Sequence, residues 1–456
     1  MVRTHVNARN PILPPDLHIP DVEAHVMPDG RLYLYGSWDQ YTDTYCSMDY
    51  RVVSTADLRT WTIHDLGFDG RDVPWEDDPR NPAYPGGFDP AHPTPFLRAM
   101  LESDSAASAT WSNDAAAFVP PPHGFLYAPD AAPHDGRYYL YFCGPDQSEG
   151  VAVADDPAGP FTDPVRLPCA GIDPAVLVDD DGRAYYFWGQ FSARGAELDH
   201  TMRAFVPGSE VHDLLTEAEH CFHEGTSVRR RGDTYYAVFA SISTGRPTSL
   251  DYATAPHPLG PYTYRGTIID NADCDPASWN NHGSIEEVGG RWYVFYHRSH
   301  GGSQYGRRAC IEPIEFDSDG LIAPVVMTST GAGRPFALGE RIEGWRACAV
   351  TGTAFITRAD DPRPNTVSGG AAGGEAVFRY VDWEVTPSHV EVEADDVVEL
   401  LVDDADEPTA RIVPEAGIGR SRLAGVPTGR HTLRLRLPGV ASDDAEPTHV
   451  TALTVF

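Results

Sequence analysis

Five ionisable residues stand a short, similar distance before five similar glycines. Asp21 and Asp173 each precede their glycine, Gly30 and Gly182, by nine residues. Glu224 precedes Gly232 by eight, His282 precedes Gly290 by eight, and Asp130 precedes Gly136 by six. Their segments read HIPDVEAHV, GIDPAVLV, HEGTSVRR, NNHGSI and YAPDAAP. A single Asp beside a proline is commonly a turn residue bonding its own backbone. Five polar, costly positions recurring at one offset ask for another account. Crowding like charges into one concave site raises proton affinities, which suits carboxyls to acid and base work and usually marks function.

Each of the five glycines opens a similar segment. GRLYLYGSWD begins at Gly30, GRYYLYFCGP at Gly136, GRAYYFWGQF at Gly182, GDTYYAVFAS at Gly232 and GRWYVFYHRS at Gly290. The aromatic and aliphatic run after a tight turn predicts the second strand of a hairpin. The starts are 106, 46, 50 and 58 residues apart, and roughly 40–50 residues is the length of one four-stranded propeller blade. The pattern therefore predicts an all-β chain with a five-bladed β-propeller over residues 1–335. In such a propeller the innermost strand of each blade lines the axis, which would aim the five ionisable residues at one cavity. The first interval is too long by about one blade. Its surplus, residues 71–125, reads as an insertion between blades 1 and 2. A second repeat, Asp155–Phe161 against Ala255–Tyr262, reads as an equivalent outer turn in two blades.

Composition sets limits on the chemistry. The 456 residues carry 34 Lys+Arg against 67 Asp+Glu, a net charge of −33, and there is no lysine. So acidic a chain repels polyphosphate, which argues against nucleic acid. Without lysine there is no Schiff-base nucleophile and no P-loop. No apolar run approaches the roughly 18 residues of a membrane span. The first residues lack an apolar signal region, and the 7 cysteines show no C-x-x-C spacing. Free thiols in a cytoplasmic protein are the expectation.

Taken in order, the NPILPP…IPDVEA segment, APD, GIDPAV, HEGTSVRR, NNHGSI and the downstream GRR resemble glycoside hydrolase family 43 over roughly the first 330 residues. The resemblance implies an inverting hydrolase that cleaves α-L-arabinofuranosides or β-D-xylosides, and an insertion that closes the pocket at one end would make it exo-acting. It implies Asp21 as general base, Glu224 as general acid and Asp173 as the carboxylate that orients the acid and tunes its proton affinity. His282 matches an axial histidine that accompanies a bound Ca²⁺ or water cluster, and Arg307 matches an arginine contacting the sugar. Arg298 is the alternative arginine. Glu23 rivals Asp21, because residues two apart share a strand face. The equal offsets of Asp21 and Asp173 favour Asp21.

Trp38 and Asp39, at the end of the first marker strand, read either as sugar contacts or as packing and strand-end residues; Asp130 reads as structural or a minor sugar contact. Phe88, Trp111 and Phe125 are candidates to close a blind-ended pocket. After about Pro335 the pattern changes to short alternating strands, so residues 336–456 are expected to form a small antiparallel β-sandwich. It resembles a family 6-type carbohydrate-binding module, or a stabilising accessory domain. Two rival readings are a non-catalytic sugar-binding propeller and a retaining fructosidase or transferase. The latter look for N-D-P-N-G, R-D-P and E-C segments, which the sequence lacks.

Overall fold

A computed structural model describes residues 2–41, 45–75, 124–274, 280–440 and 446–456. Between Arg3 and Ile314 its strands form five antiparallel sheets, I to V, in chain order. The first strands of these sheets are Glu23–Val26, Asp130–His134, Ala175–Val178, Phe222–Arg231 and Ser284–Val288. The second strands are Leu32–Tyr35, Arg137–Cys143, Ala184–Trp188, Thr234–Ser241 and Arg291–His300. These are the five aromatic segments read from the sequence. All five marker glycines sit in the connecting turns with φ between +60° and +83°, the left-handed region that glycine enters without penalty.

Each first strand packs beside the first strand of the next sheet, and that of sheet V returns to that of sheet I. A parallel bridge between Val22 and Gly283 joins the two ends of the cycle. The apolar side chains explain the arrangement. Five core clusters each combine residues of two neighbouring sheets. Leu32 and Leu34 face sheet V, whereas Tyr33 and Tyr35 face sheet II. Tyr235, Ala237 and Phe239 face sheet III; Tyr236 and Val238 face sheet V. Strand alternation thus sends side chains to two neighbours. With both faces buried, the second strands carry aromatic and aliphatic side chains on both faces, apart from the polar end His297–His300 of the last, so a simple inside–outside alternation is missing from them.

The two matched outer turns also occupy equivalent places, between the third and fourth strands of sheets II and IV. Gly159 has φ +83°, and a Cβ there would meet the Gly67 carbonyl at 2.6 Å. The turn buries Phe161 and its counterpart Tyr262. Sheet I gains a fifth, outermost strand from Arg3–Val6, while sheet V has three strands. Residues 76–123 of the expected insertion, with Phe88 and Trp111, lie outside the described residues. Phe125 is buried and stacks on Tyr41 at 5.7 Å.

Beyond Phe336 two six-stranded sheets share one apolar core. Val390, Val392 and Leu453 enter it from one sheet; Leu400, Leu433, Leu435 and Trp383 enter from the other. The alternating segments expected to be strands are strands. The strand Ile418–Arg422 was not anticipated, because its IGRSR sequence carries a glycine and two arginines. This part is fastened to the ring by Cys348, Ala349 and Val377, which join the core between sheets IV and V. Arg379 also donates to the Met327 carbonyl at 3.1 Å, and Arg346 to the Asn10 carbonyl at 3.2 Å.

Asn10 ties the N-terminal segment to sheet V. Fully buried, it donates to the carbonyls of Ile311 and Thr328 and to Glu312, and accepts from the Ile311 N–H. Asn10→Ala leaves several buried groups without partners. It should lower unfolding free energy by roughly 2–4 kcal/mol, read as a lower urea midpoint; an unchanged midpoint would contradict this anchor role.

Candidate active site

Asp21 and Asp173 occupy the same backbone position in two sheets, two residues before the first strand, with φ +55° and +56°. Asp tolerates this left-handed region better than most residues, and such strain is commonly retained where a side chain must be aimed. Glu224 is aimed differently. It lies within the first strand of sheet IV, where the pairing slips on both sides of it. A bulge of this kind turns a side chain out of the regular register. The next residue must be Gly225: its φ is +69°, and a Cβ would lie 2.9 Å from the His282 ring. The Glu-Gly pair in HEGTSVRR therefore has a steric cause.

His282 stands between two of the acids. Its Nδ1 is 3.9 Å from Asp21 Oδ1 and 3.8 Å from Asp173 Oδ2. Asp21 accepts from Ser37 Oγ at 2.7 Å and from Arg307 Nη1 at 2.8 Å. Its backbone N–H donates to His297 Nδ1 at 3.4 Å. That bond requires the proton of a neutral ring on Nε2, which faces the Asn280 carbonyl at 3.2 Å. Burial, followed by the charge of Arg307, holds His297 well below its ordinary range, which keeps the ring neutral. Glu224 Oε2 accepts from Gln190 Nε2 at 2.6 Å.

Every side-chain nitrogen of Arg307 bonds an acid. Its Nε and Nη2 form a fork on Asp39 at 2.9 and 3.0 Å, while Nη1 reaches Asp21. Its backbone N–H also donates to Asp39, at 2.9 Å. Burial alone would raise the Asp39 carboxyl, but the charge and hydrogen bonds of Arg307 outweigh it and hold the group below the usual carboxylate range. Among the described residues no such cation is in contact with Asp173. Burial first, then the charges of Glu224 and Asp21, push its carboxyl well above the ordinary value.

The remaining expected residues fall elsewhere. Asp130 does not share the tier of Asp21 and Asp173. It begins the first strand of sheet II, where Tyr127 stands nine residues before the glycine. The shorter offset puts Asp130 with Glu23 and His25, with His25 Nε2 2.6 Å from Asp130 Oδ1. One ring of five groups is thus corrected to two tiers. Arg298 bonds Tyr296 and the Thr328 carbonyl and lies 3.6 Å from Glu312, apart from the acids around Arg307. Trp38 packs against the core between sheets I and V, with the Arg51 guanidinium 4.4 Å over its ring.

Three contributors escaped the sequence reading, Ser37, Gln190 and His297, of which the first two form a pair. Their shared signal was visible. Each follows the glycine that ends a marker strand, Gly36 or Gly189. His297 carried no comparable signal.

Among the described residues, Glu23, His25 and Asp130 form the group able to hold a metal ion, with their donor atoms all within 4.8 Å of one another. Glu23 Oε1 is buried and has no hydrogen-bond partner, so one acceptor is open. Burial raises both carboxyls to about 7, against the nearby charge of Arg229. The set fits a hard cation, with water supplying the rest of the roughly six to eight oxygens that calcium takes. His282 itself stands with Asp21 and Asp173.

Comparison with known proteins places this site in a family. The model of glycosyl hydrolases family 43 matches residues 103–322. A xylosidase/arabinosidase of Thermoclostridium stercorarium is 32% identical over 368 residues, covering 71% of this chain and 67% of the relative. The chain belongs to glycoside hydrolase family 43. A xylosidase/arabinosidase of Humicola insolens is 29% identical over 370 residues and 96% of its own length. Among solved structures, this family 43 chain resembles a β-xylosidase/α-arabinofuranosidase from a compost metagenome, crystallised with xylotriose in a calcium-free form. The TM-score is 0.52 at 26% identity, covering 71% of this chain and 99% of the other. A Bacillus subtilis arabinoxylan arabinofuranohydrolase shares the fold over 98% of this chain and 97% of its own, with TM-score 0.52 at 21% identity. The likeness extends through the C-terminal sheets.

The raised carboxyl of Asp173 has a consequence for stability. A group whose folded value lies above its unfolded value of 3.8 contributes stability that is full below that value and lost as pH rises through the folded one. Glu23 and Asp130 act in the same sense. Asp173→Asn should therefore raise the thermal midpoint at pH 7 and shrink, without abolishing, its decline above about pH 4. An unchanged slope would show that Asp173 carries no such burden.

Proposed function

We propose that this family 43 enzyme is an inverting, exo-acting hydrolase that releases terminal α-L-arabinofuranosyl or β-D-xylosyl residues from oligosaccharides. In this reading residues 1–335 are a five-bladed β-propeller and residues 336–456 a β-sandwich accessory domain, which resembles a family 6-type carbohydrate-binding module. The names of the relatives support the sugar class. The observation that carries the mechanism is the unequal environment of three carboxyls at one end of the ring: one beside a cation, one buried beside other acids, one held by an amide.

Inversion needs a protonated carboxyl at the leaving oxygen and an ionised one across the sugar, with water between. Asp21, hydrogen-bonded by Arg307 and Ser37, is the base. It takes one proton from the water as the water oxygen bonds the anomeric carbon. Glu224, held by Gln190, gives its proton to the departing oxygen as the glycosidic bond breaks. Exchange with solvent then resets both groups. Asp173 touches His282 and interacts with Glu224, and in this reading it orients the acid. Arg307 is engaged by Asp39 and Asp21, so its first task is to position the base; Trp38, Asp39 and Asp130 act through packing and positioning in this reading. Glu23, His25 and Asp130 would hold a divalent cation, which supplies positive charge that lowers the cost of crowding acids at the axis. The seven free cysteines support a reducing, cytoplasmic setting.

The test is a panel of nitrophenyl and alkyl glycosides with wild type, Glu224→Gln and Asp21→Asn. Glu224→Gln should lose roughly 10²–10⁴-fold on alkyl leaving groups and much less on nitrophenolate, which departs without a proton. Asp21→Asn should lose activity on both. NMR of the first product should show the opposite anomer to the substrate. Full alkyl-glycoside activity in Glu224→Gln removes the acid assignment, and a retained anomer removes inversion.

A further inference from the structure

Arg307 has a neighbour with the opposite situation. Strand alternation turns Arg307 towards sheet I and sends Arg308 to the other face of sheet V. Arg308 is 2% exposed, and among the described residues it has no carboxylate partner. Its Nη2 reaches only two neutral acceptors, Asn365 Oδ1 at 3.3 Å and the Pro15 carbonyl at 3.5 Å. Nε and Nη1 are buried without partners.

The surroundings add a second arginine, which has its own carboxylate partner. Arg358, from the C-terminal part, keeps Nη1 buried and unpartnered, while its Nε bonds Asp360 at 3.1 Å. His300, 1% exposed, is held well below its ordinary range by burial and then by the charge of Arg308, with a backbone hydrogen bond at Gly306 acting the other way. The His18 ring lies 4.7 Å from that of His300. Arg358 and His300 pack directly against Gly306. A Cβ there would sit 2.7 Å from Arg358 Nη1 and 3.1 Å from His300 Cε1. Burial, then the charge of Arg308, lowers His18 to about 4, and burial lowers Arg308 to about 9.

A guanidinium buried without a counter-charge is strongly unfavourable, because it loses its hydration and gains no opposite charge. The asymmetry is the informative point. In a chain of net charge −33, carboxylates are plentiful, yet none among the described residues meets this one. We infer that Arg308 and Arg358, beside His300, bind a small inorganic anion of the halide class, where the N-terminal segment, sheet V and the C-terminal part meet. The anion supplies the missing negative charge and accepts from donors that have no other partner. It also supports the catalytic end of the ring. Arg308 follows Arg307 in the chain, and the His18 carbonyl accepts from the Asp39 N–H at 3.0 Å.

The experiment uses the full chain, dialysed into sodium gluconate and titrated with chloride, bromide or phosphate at constant ionic strength. Binding to the folded state raises the thermal midpoint in a saturable way. The expected result is a saturable rise of several degrees with chloride and bromide, lost in Arg308→Gln and in Arg358→Met. Crystals of wild type soaked in sodium bromide should show an anomalous peak between Arg308 and Arg358, a readout independent of whether the variants fold. A midpoint that does not respond to halide, an equal response in foldable variants, or an empty anomalous map overturns the site. A response to phosphate but not chloride overturns the halide assignment. These readouts involve no glycoside, so they stand apart from the catalytic reading.

Discussion

One buried guanidinium links the two ends of the sheet cycle. Arg307 comes from sheet V, and the carboxylates it holds, Asp39 and Asp21, flank strands of sheet I. The three groups are nearly inaccessible to water. Removing one partner from such an array is costly, about 3–5 kcal/mol, because the others are left charged and unpaired. The contact that closes the ring therefore also orients the base. Ser37 and His297 reach Asp21 from either side of the same seam.

The rest of the site follows from how unevenly that positive charge is shared. Asp39 lies in the fork and is held low; Asp173 faces acids and is pushed high. Two carboxyls with one intrinsic chemistry thus differ because only one has a cation in hydrogen-bond contact. A second tier, Glu23 with Arg229, His25 and Asp130, repeats the problem with another arginine. The cationic group around Arg308 is the reverse case. The two adjacent arginines differ because strand alternation faces one towards acids and the other towards basic and neutral groups.

Stability and activity pull against each other along the axis. Asp21, Asp173, Glu23 and Asp130 are buried and Glu224 is half-buried, and three of these acids bind protons more tightly than in water. The apolar seams between the sheets supply the compensating stability, since each sheet buries both faces against its neighbours. The five hairpins are alike because each has two neighbours to satisfy.

Local chemistry made much of this legible from sequence. Positive-φ glycines before aromatic strands located five hairpins, and equal offsets singled out Asp21 and Asp173, because a hairpin fixes register over a few residues. The same regularity misled at Asp130, where an offset three residues shorter placed the side chain in another tier. Alternation also allowed Glu23 to rival Asp21, since neither the left-handed turn at Asp21 nor the start of the strand at Glu23 can be read from residue types. The partners of the acids were decided only by tertiary structure. Arg307 meets Asp39 across 268 residues, and Ser227 meets Glu23 across 204. Sequence determined which segments fold into strands, because turn geometry and side-chain alternation act between near neighbours. Closure of the ring decided which charges face one another, because Coulomb energy and desolvation depend on distance in space and not along the chain.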